Sequence, residues 1–322
     1  MAQLSIEDVR VSQTPRPRIL LSECLGIRPV RHDGNVVFDS FVEALKKYVD
    51  VLPVCPEVSL GLGVPRSPLV LYEESGRLEL LDTKTGTKYT KNMEELARSI
   101  LSNLVVDGVV LKSASPSCGV GDAKVYGPGR RVVRRGDGLF TAAVRSYMRC
   151  VPVESERRLY AHDIRVRFLT KIFALAELRE TLSNLRTSEE LVDFHRRFKY
   201  LIMLHNQTAL KNLGRLVANR EKYSLEELID SYRKKFIEAL CANPTRKSYV
   251  NVFTHMYGHL KKLLNQSERK YVLFLIESYG SGKESLKTVM AYFRGFMHRF
   301  GDSYLAEQRL LSPYPEELDH TL

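Results

Sequence analysis

The chain contains no run of 18 or more apolar residues, which excludes a membrane-spanning helix of ordinary length. Its N-terminal stretch, Met1 to Arg18, is polar and lacks the apolar core of a secretory signal. Cysteine is scarce, five at long and irregular intervals, which excludes the disulfide framework of a small secreted domain. A reducing, cytoplasmic setting is therefore expected. There, a few cysteines point to metal binding or catalysis more often than to bridges. No internal repeat and no low-complexity tract is present.

What is present is ordinary for a globular protein: 322 residues, 44% hydrophobic and 27% charged, enough for about two domains with real cores. The net charge of +11 is uneven. Residues 1–155 hold 21 Lys+Arg against 18 Asp+Glu, and residues 156–322 hold 28 against 20. A basic second half points to an anionic partner, with nucleic acid the first candidate.

Periodicity divides the chain in three. Residues 1–16 read as a flexible leader. Residues 17–152 alternate short apolar runs (Ile19–Ser22, Val51–Val54, Val105–Leu111) with helical spacings (Phe41–Val49, Asn92–Leu104, Leu139–Arg149). That alternation predicts an α/β domain with a mostly parallel sheet and flanking helices. Gly127-Pro128-Gly129 with the basic Arg130-Arg131 and Arg134-Arg135 read as a loop. From Arg157 no strand is evident, and about eight helical segments with Asn-Pro and Gly-rich breakers predict an all-α domain over 157–322. Pro313-Tyr314-Pro315 reads as an extended strap.

Three cysteines stand just after strand-like runs: Cys24, Cys55 and Cys118. Ligand sites in α/β sheets form at such carboxyl ends. Spacing alone does not make them a metal site: paired C-x₂₋₄-C ligands are missing, and three buried thiols serve equally well. Cys150 and Cys241 read as core residues. Glu57, two residues after Cys55, is a candidate acid/base. Lys112, Ser115 and Ser117 lie in the loop before Cys118. Other patterns fail on inspection. Gly61-Leu62-Gly63 runs into Arg66 instead of a third glycine, and Gly280-Ser281-Gly282-Lys283 lacks the first glycine and the hydroxyl of a phosphate loop. In the second half, Arg196, Arg197, Lys199, Lys261 and Lys262 stand among aromatics and are candidate RNA contacts. A solvated helix face accounts for them equally well.

Ser22-Glu23-Cys24-Leu25-Gly26, Pro29 to Gly34, Cys55-Pro56-Glu57-Val58, Gly61 to Arg66 and Lys112 to Gly119, in that order, resemble the thiouracil desulfurase family over residues 16–152. Phe194 to Tyr200, Asn251 to Lys261 and Gln308 to Leu318 resemble the YbgA-type helical domain. The pairing is similar to desulfidases that remove 4-thiouridine from tRNA. The resemblance implies a 4Fe-4S cluster held by Cys24, Cys55 and Cys118 with one open iron, a catalytic Glu57, and a motif serine assigned to Ser115 over Ser117. Lys112, Ser117 and Asp33 are the implied substrate contacts. A thiolated pyrimidine, with tRNA held by the basic helices, is the implied partner. Two alternatives stay open: a desulfurase of free thiouracil or another small thio compound, and a cluster-bearing RNA-binding protein without turnover.

Overall fold

The computed structural model describes residues 15–74, 76–301 and 303–319. Residues 1–14 of the expected leader lie outside the described residues. Arg16, its last member, is anchored: its guanidinium donates to Asp50 at 3.0 Å and to the carbonyls of Lys47 and Val49 at 2.9 and 2.8 Å. The chain forms two compact units, one of Met1–Glu177 with Tyr314–Leu322 and one of Leu178–Pro313.

The strands of the first unit are β1 (Arg18–Ser22), β2 (Asp50–Val54), β3 (Leu69–Glu74), β4 (Arg77–Asp82), β5 (Gly108–Leu111), β6 (Ala123–Tyr126), β7 (Val132–Gly136) and β8 (Val153–Ser155). Its helices are α1 (Ser40–Lys46), α2 (Pro56–Ser59), α3 (Thr90–Leu101), α4 (Leu139–Tyr147) and the start of α5 (His162–Asn184). The first sheet has the order β2-β1-β5-β8 and every pairing in it is parallel. Alternation along the strands sends side chains to opposite faces. Ile19, Leu21 and Val110 pack with Phe41, Leu45, Phe168 and Ile172 of α1 and α5. Leu20, Val109 and Leu111 pack on the other face with Met93, Ala97, Phe140 and Val144 of α3 and α4. Tyr314, from the expected strap, is buried in the α1/α5 cluster, its ring 6.5 Å from that of Phe173.

The second sheet, β4-β3-β6-β7, is mixed: β3 and β6 run parallel while β3–β4 and β6–β7 are antiparallel. The segment expected to be a basic loop, Gly127 to Arg135, therefore supplies most of β7, and β6 lies just before it. β7 carries Arg134 and Arg135 and is exposed along most of its length, so its sequence shows no apolar face. β8 is equally illegible at three residues, yet it closes the first sheet beyond the expected boundary at 152.

In the second unit, among the described residues, α5 ends and α6 (Ser188–His205), α7 (Gln207–Ala218), α8 (Leu225–Cys241), α9 (Arg246–Leu260), α10 (Gln266–Gly280), α11 (Leu286–Phe300) and α12 (Ser303–Ala306) follow with no strand. Side-chain caps start several of them. Ser224 with Glu227, and Asn265 with Glu268, form capping boxes that satisfy the first free amides of α8 and α10. Aromatic stacking fills the interior, with Phe194 and Phe198 at 4.3 Å and Phe253 and Phe293 at 5.3 Å between centroids. Cys150 and Cys241 are not core residues as expected: Cys150 is half-buried in a turn after α4 and Cys241 is exposed at the end of α8. No helix among the described residues is long and apolar enough to cross a membrane.

Candidate metal centre and active site

Four parallel strands deliver their carboxyl ends to one cavity. Cys24 follows β1, Cys55 and Glu57 follow β2, and the loop from Lys112 to Cys118 follows β5. Glu156 follows β8. The cavity measures about 380 Å³, and Cys24, Cys55 and Cys118 all line it. They are the free cysteines among the described residues. No three His, Cys, Asp or Glu residues among the described residues gather closely enough to hold a single metal ion. Burial pushes the Cys24 thiol up to about 12, with the charge of Cys55 adding to the shift. Burial raises Cys55 too, and raises Cys118 well above its ordinary value with Cys24 and Glu57 adding repulsion. Three soft donors that resist ionisation together fit a group that brings its own positive charge, as an iron–sulfur core does.

Glu57 is 9% exposed and held on both oxygens. Ser117 donates to Oε1 at 2.8 Å. Arg66 donates to Oε2 through Nε at 2.8 Å, with its terminal amine at 2.7 Å. The same guanidinium donates to the carbonyl of Val30 at 3.0 Å, and the Arg66 amide donates to the carbonyl of His32 at 2.9 Å. Arg66 thus ties the loop after β1 to the loop after β2.

The Cys118 loop is set by its own turn and by α4. Ser115 Oγ accepts from the amides of Ser117 and Cys118 at 3.2 and 3.1 Å. Ala114 holds a left-handed backbone, φ +56°, which costs an L-residue on the order of 1–2 kcal/mol. Its amide donates to Asp122 at 2.9 Å. The first amides of α4 would lack intrahelical partners. Those of Leu139 and Phe140 donate instead to the carbonyls of Pro116 and Ser117 at 3.0 Å each. Thr141 Oγ1 donates to the Cys118 carbonyl at 2.9 Å. On the other wall, Lys112 Nζ donates to Glu156 and to Ser113 Oγ, and the Ser113 amide donates to Glu156 at 2.8 Å.

Residues 19–156 match the family model described as 2-thiouracil desulfurase, and residues 199–315 match the one described as protein of unknown function (DUF1722). The uncharacterized protein YbbK of Bacillus subtilis (strain 168) is 32% identical over 114 residues, 32% of this chain and 74% of that protein. The chain belongs to the 2-thiouracil desulfurase family. It carries a helical YbgA-type domain behind the desulfurase domain. The uncharacterized protein YbgA of Escherichia coli (strain K12) is 27% identical over 152 residues, 47% of this chain and 90% of that protein. Among solved structures, a 4Fe-4S-dependent thiouracil desulfidase, TudS, is similar with 29% identity, covering 45% of this chain and 94% of that chain at a TM-score of 0.36.

In this desulfurase domain, the residues singled out from sequence fall into three groups. Cys24, Cys55, Cys118, Glu57, Lys112 and Ser115 all line the cavity. Ser117 is fully buried behind it, on Glu57. Asp33 lies outside the lining: it accepts the Asn35 amide at 3.1 Å and pairs at 3.3 Å with Arg31, which does line the cavity. Arg66 and Glu156 were missed. Arg66 ends the stretch Gly61 to Arg66, which reads as a failed nucleotide motif and as part of the family resemblance, with no role for the arginine. Glu156 follows a strand too short to register. In the helical domain, Arg196 is engaged by Asp193 and Glu307, and Arg197 by Asp193. Lys199 lies 5.5 Å over the Tyr200 ring, while Lys261 and Lys262 are exposed.

Proposed function

We propose that the chain hydrolyses the C=S bond of a thiolated uracil, converting C=S and water into C=O and hydrogen sulfide without net redox change, with 4-thiouridine in tRNA as the substrate. The observation that carries this reading is the meeting of three free thiols from three parallel-strand ends with a clamped carboxylate around one cavity. Cys24, Cys55 and Cys118 would hold a 4Fe-4S cluster. With only three cysteine ligands, such a cluster would supply a Lewis-acidic iron for the thiocarbonyl sulfur.

The remaining work falls to the chain. Glu57 takes the proton of the attacking water and returns it toward the departing sulfur. Arg66 and Ser117 hold both its oxygens in place, so little reorganisation is needed during proton transfer. Ser115 accepts two amides and keeps its hydroxyl hydrogen for a ring oxygen or nitrogen of the pyrimidine. Lys112, steadied by Glu156, offers a second donor on the opposite wall. Val30, Val54, Leu69 and Pro68 make the cavity's apolar lining, which suits a flat ring.

Anaerobic purification of wild type and Cys24→Ala, with absorbance and iron and sulfide counts, tests the reading. About four irons per wild-type chain and a bleached variant are expected, followed by loss of the 4-thiouridine absorbance of tRNA. A colourless, iron-free wild type after reconstitution overturns it. The family description favours one rival, free thiouracil as substrate. Turnover of the free base with none on thiolated tRNA would select that rival.

A further inference from the structure

The exposed large apolar side chains described in the second unit are Tyr223, Leu263, Tyr271, Leu273, Phe274 and Tyr292. All but Tyr223 fall on α10 and α11 or on the turn that leads into them. Tyr271 and Phe274 are three residues apart on α10, one above the other on the same face. They are 43% and 59% exposed, with ring centroids 6.2 Å apart. Tyr292 of α11, 39% exposed, brings its ring to 5.0 Å from Tyr271. Behind it stands the buried Phe296 at 5.6 Å. The result is a row of three open rings with a fixed backing. Helix surfaces rarely leave such a cluster in water without a partner.

The charge around the rings says which partner. Residues 261–299 contain eight Lys+Arg, three Glu and no Asp. Lys261, Lys262, Arg269, Lys270, Lys283 and Lys287 are all exposed, whereas Glu268 is engaged by Arg299 and Glu277 is the one acid of the stretch in the exposed class. A second copy of the chain would bring the same cations against themselves. An unpaired nucleic-acid strand supplies what both features need: flat bases for the rings and phosphates for the lysines.

We infer that the α10–α11 face is a stacking platform for an unpaired RNA segment, with Tyr271, Phe274 and Tyr292 taking bases and Lys270 a phosphate. This deepens the RNA-borne substrate reading above and rests on it. The platform is distinct from Arg196 and Arg197, which pair with Asp193 and Glu307.

The test is fluorescence anisotropy of the full, reconstituted chain with labelled tRNA and with a labelled oligouridine. Tyr271→Ala and Phe274→Ala should each weaken binding by roughly 5- to 100-fold, the range of one lost base stack. Lys270→Gln should lower the log–log salt slope by about one. Tyr223→Ala, exposed off this face, should bind like wild type. Circular dichroism confirms folding of each variant. Unchanged affinity in the Tyr271→Ala/Phe274→Ala double variant overturns the platform and leaves the substrate reading standing. A wild type that binds neither RNA overturns both the platform and the RNA-borne substrate. Sulfide release from free thiouracil by the wild type, assayed alongside, separates the third case: RNA binding lost in the variants with no sulfide release from any substrate supports the platform and overturns only the desulfidase. Phe274→Glu that turns a dimer into a monomer by light scattering, at unchanged RNA affinity, overturns the platform in favour of self-association.

Discussion

Glu57 is the residue whose chemistry is most constrained by its neighbours. Its partners are a guanidinium and a hydroxyl, both largely out of water. Glu57→Gln keeps the shape of the side chain but cannot carry a proton. Sulfide release should fall by about 10²- to 10⁴-fold, the usual share of one acid/base group. Iron content should be unchanged, which distinguishes chemistry from cluster loss. Arg66→Met removes the charge that Glu57 faces and two further side-chain hydrogen bonds of that loop, to the carbonyls of Val30 and Gly63. Breaking a buried pair from one side costs about 3–5 kcal/mol. The urea midpoint of the desulfurase domain should drop accordingly, and activity with it. A midpoint equal to wild type would show that the pair does not hold the loops together.

At the scale of elements, the site depends on how closely α4 approaches the Cys118 loop. A Cβ built at Gly138 would lie 2.5 Å from the carbonyl carbon and oxygen of Ser117 and 2.7 Å from the Cys118 amide nitrogen. These are backbone atoms and cannot swing aside. Gly138→Ala should push the loop away from the helix, destabilising the domain by about 1–3 kcal/mol as overpacking does. It should also lower the iron retained after reconstitution. Gly108 has a parallel role beneath the sheet, where a Cβ would meet Ile172 Cγ2 at 2.5 Å. Gly108→Ala should destabilise by a similar amount without touching the cavity. Denaturation curves and iron counts on the two variants would separate packing under the sheet from packing against the loop.

For the whole molecule, the two units should respond differently to acid. His195, in the helical unit, bonds Tyr232 at 3.1 Å and is pushed down to about 4, by burial first and by the charge of Lys199 second. Above pH 6.5 it is neutral in both folded and unfolded chains and exerts no pH dependence. Between 6.5 and 4 the unfolded chain takes up the proton first, so stability is lost as pH falls through that window. The loss reaches at most about 3 kcal/mol below pH 4. His195→Gln should flatten this part of the profile, measured as the denaturant midpoint of the helical transition between pH 7 and pH 4. An identical slope in the variant would assign the acid sensitivity elsewhere.

Local pattern was enough to determine much of this protein. Strand-then-cysteine junctions, helix caps such as Ser224 with Glu227, and unbroken helical spacing after residue 157 are short-range properties, and they fixed the α/β-then-α order and the candidate thiols. Three things belonged to the tertiary structure alone. That Cys24, Cys55 and Cys118 line one cavity follows from the order β2-β1-β5-β8, because parallel strands with helical crossovers put all their carboxyl ends on one edge. Glu156 depends on a partner far away in the chain, Lys112, and Arg66 joins the nearby Glu57 to the distant Val30 carbonyl; no periodicity carries that information. The fate of the basic residues was decided the same way. Arg196 and Lys270 look alike in sequence, but one folds against carboxylates while the other stands in water beside Tyr271. Charge is written in the sequence, but what it faces is settled only by packing.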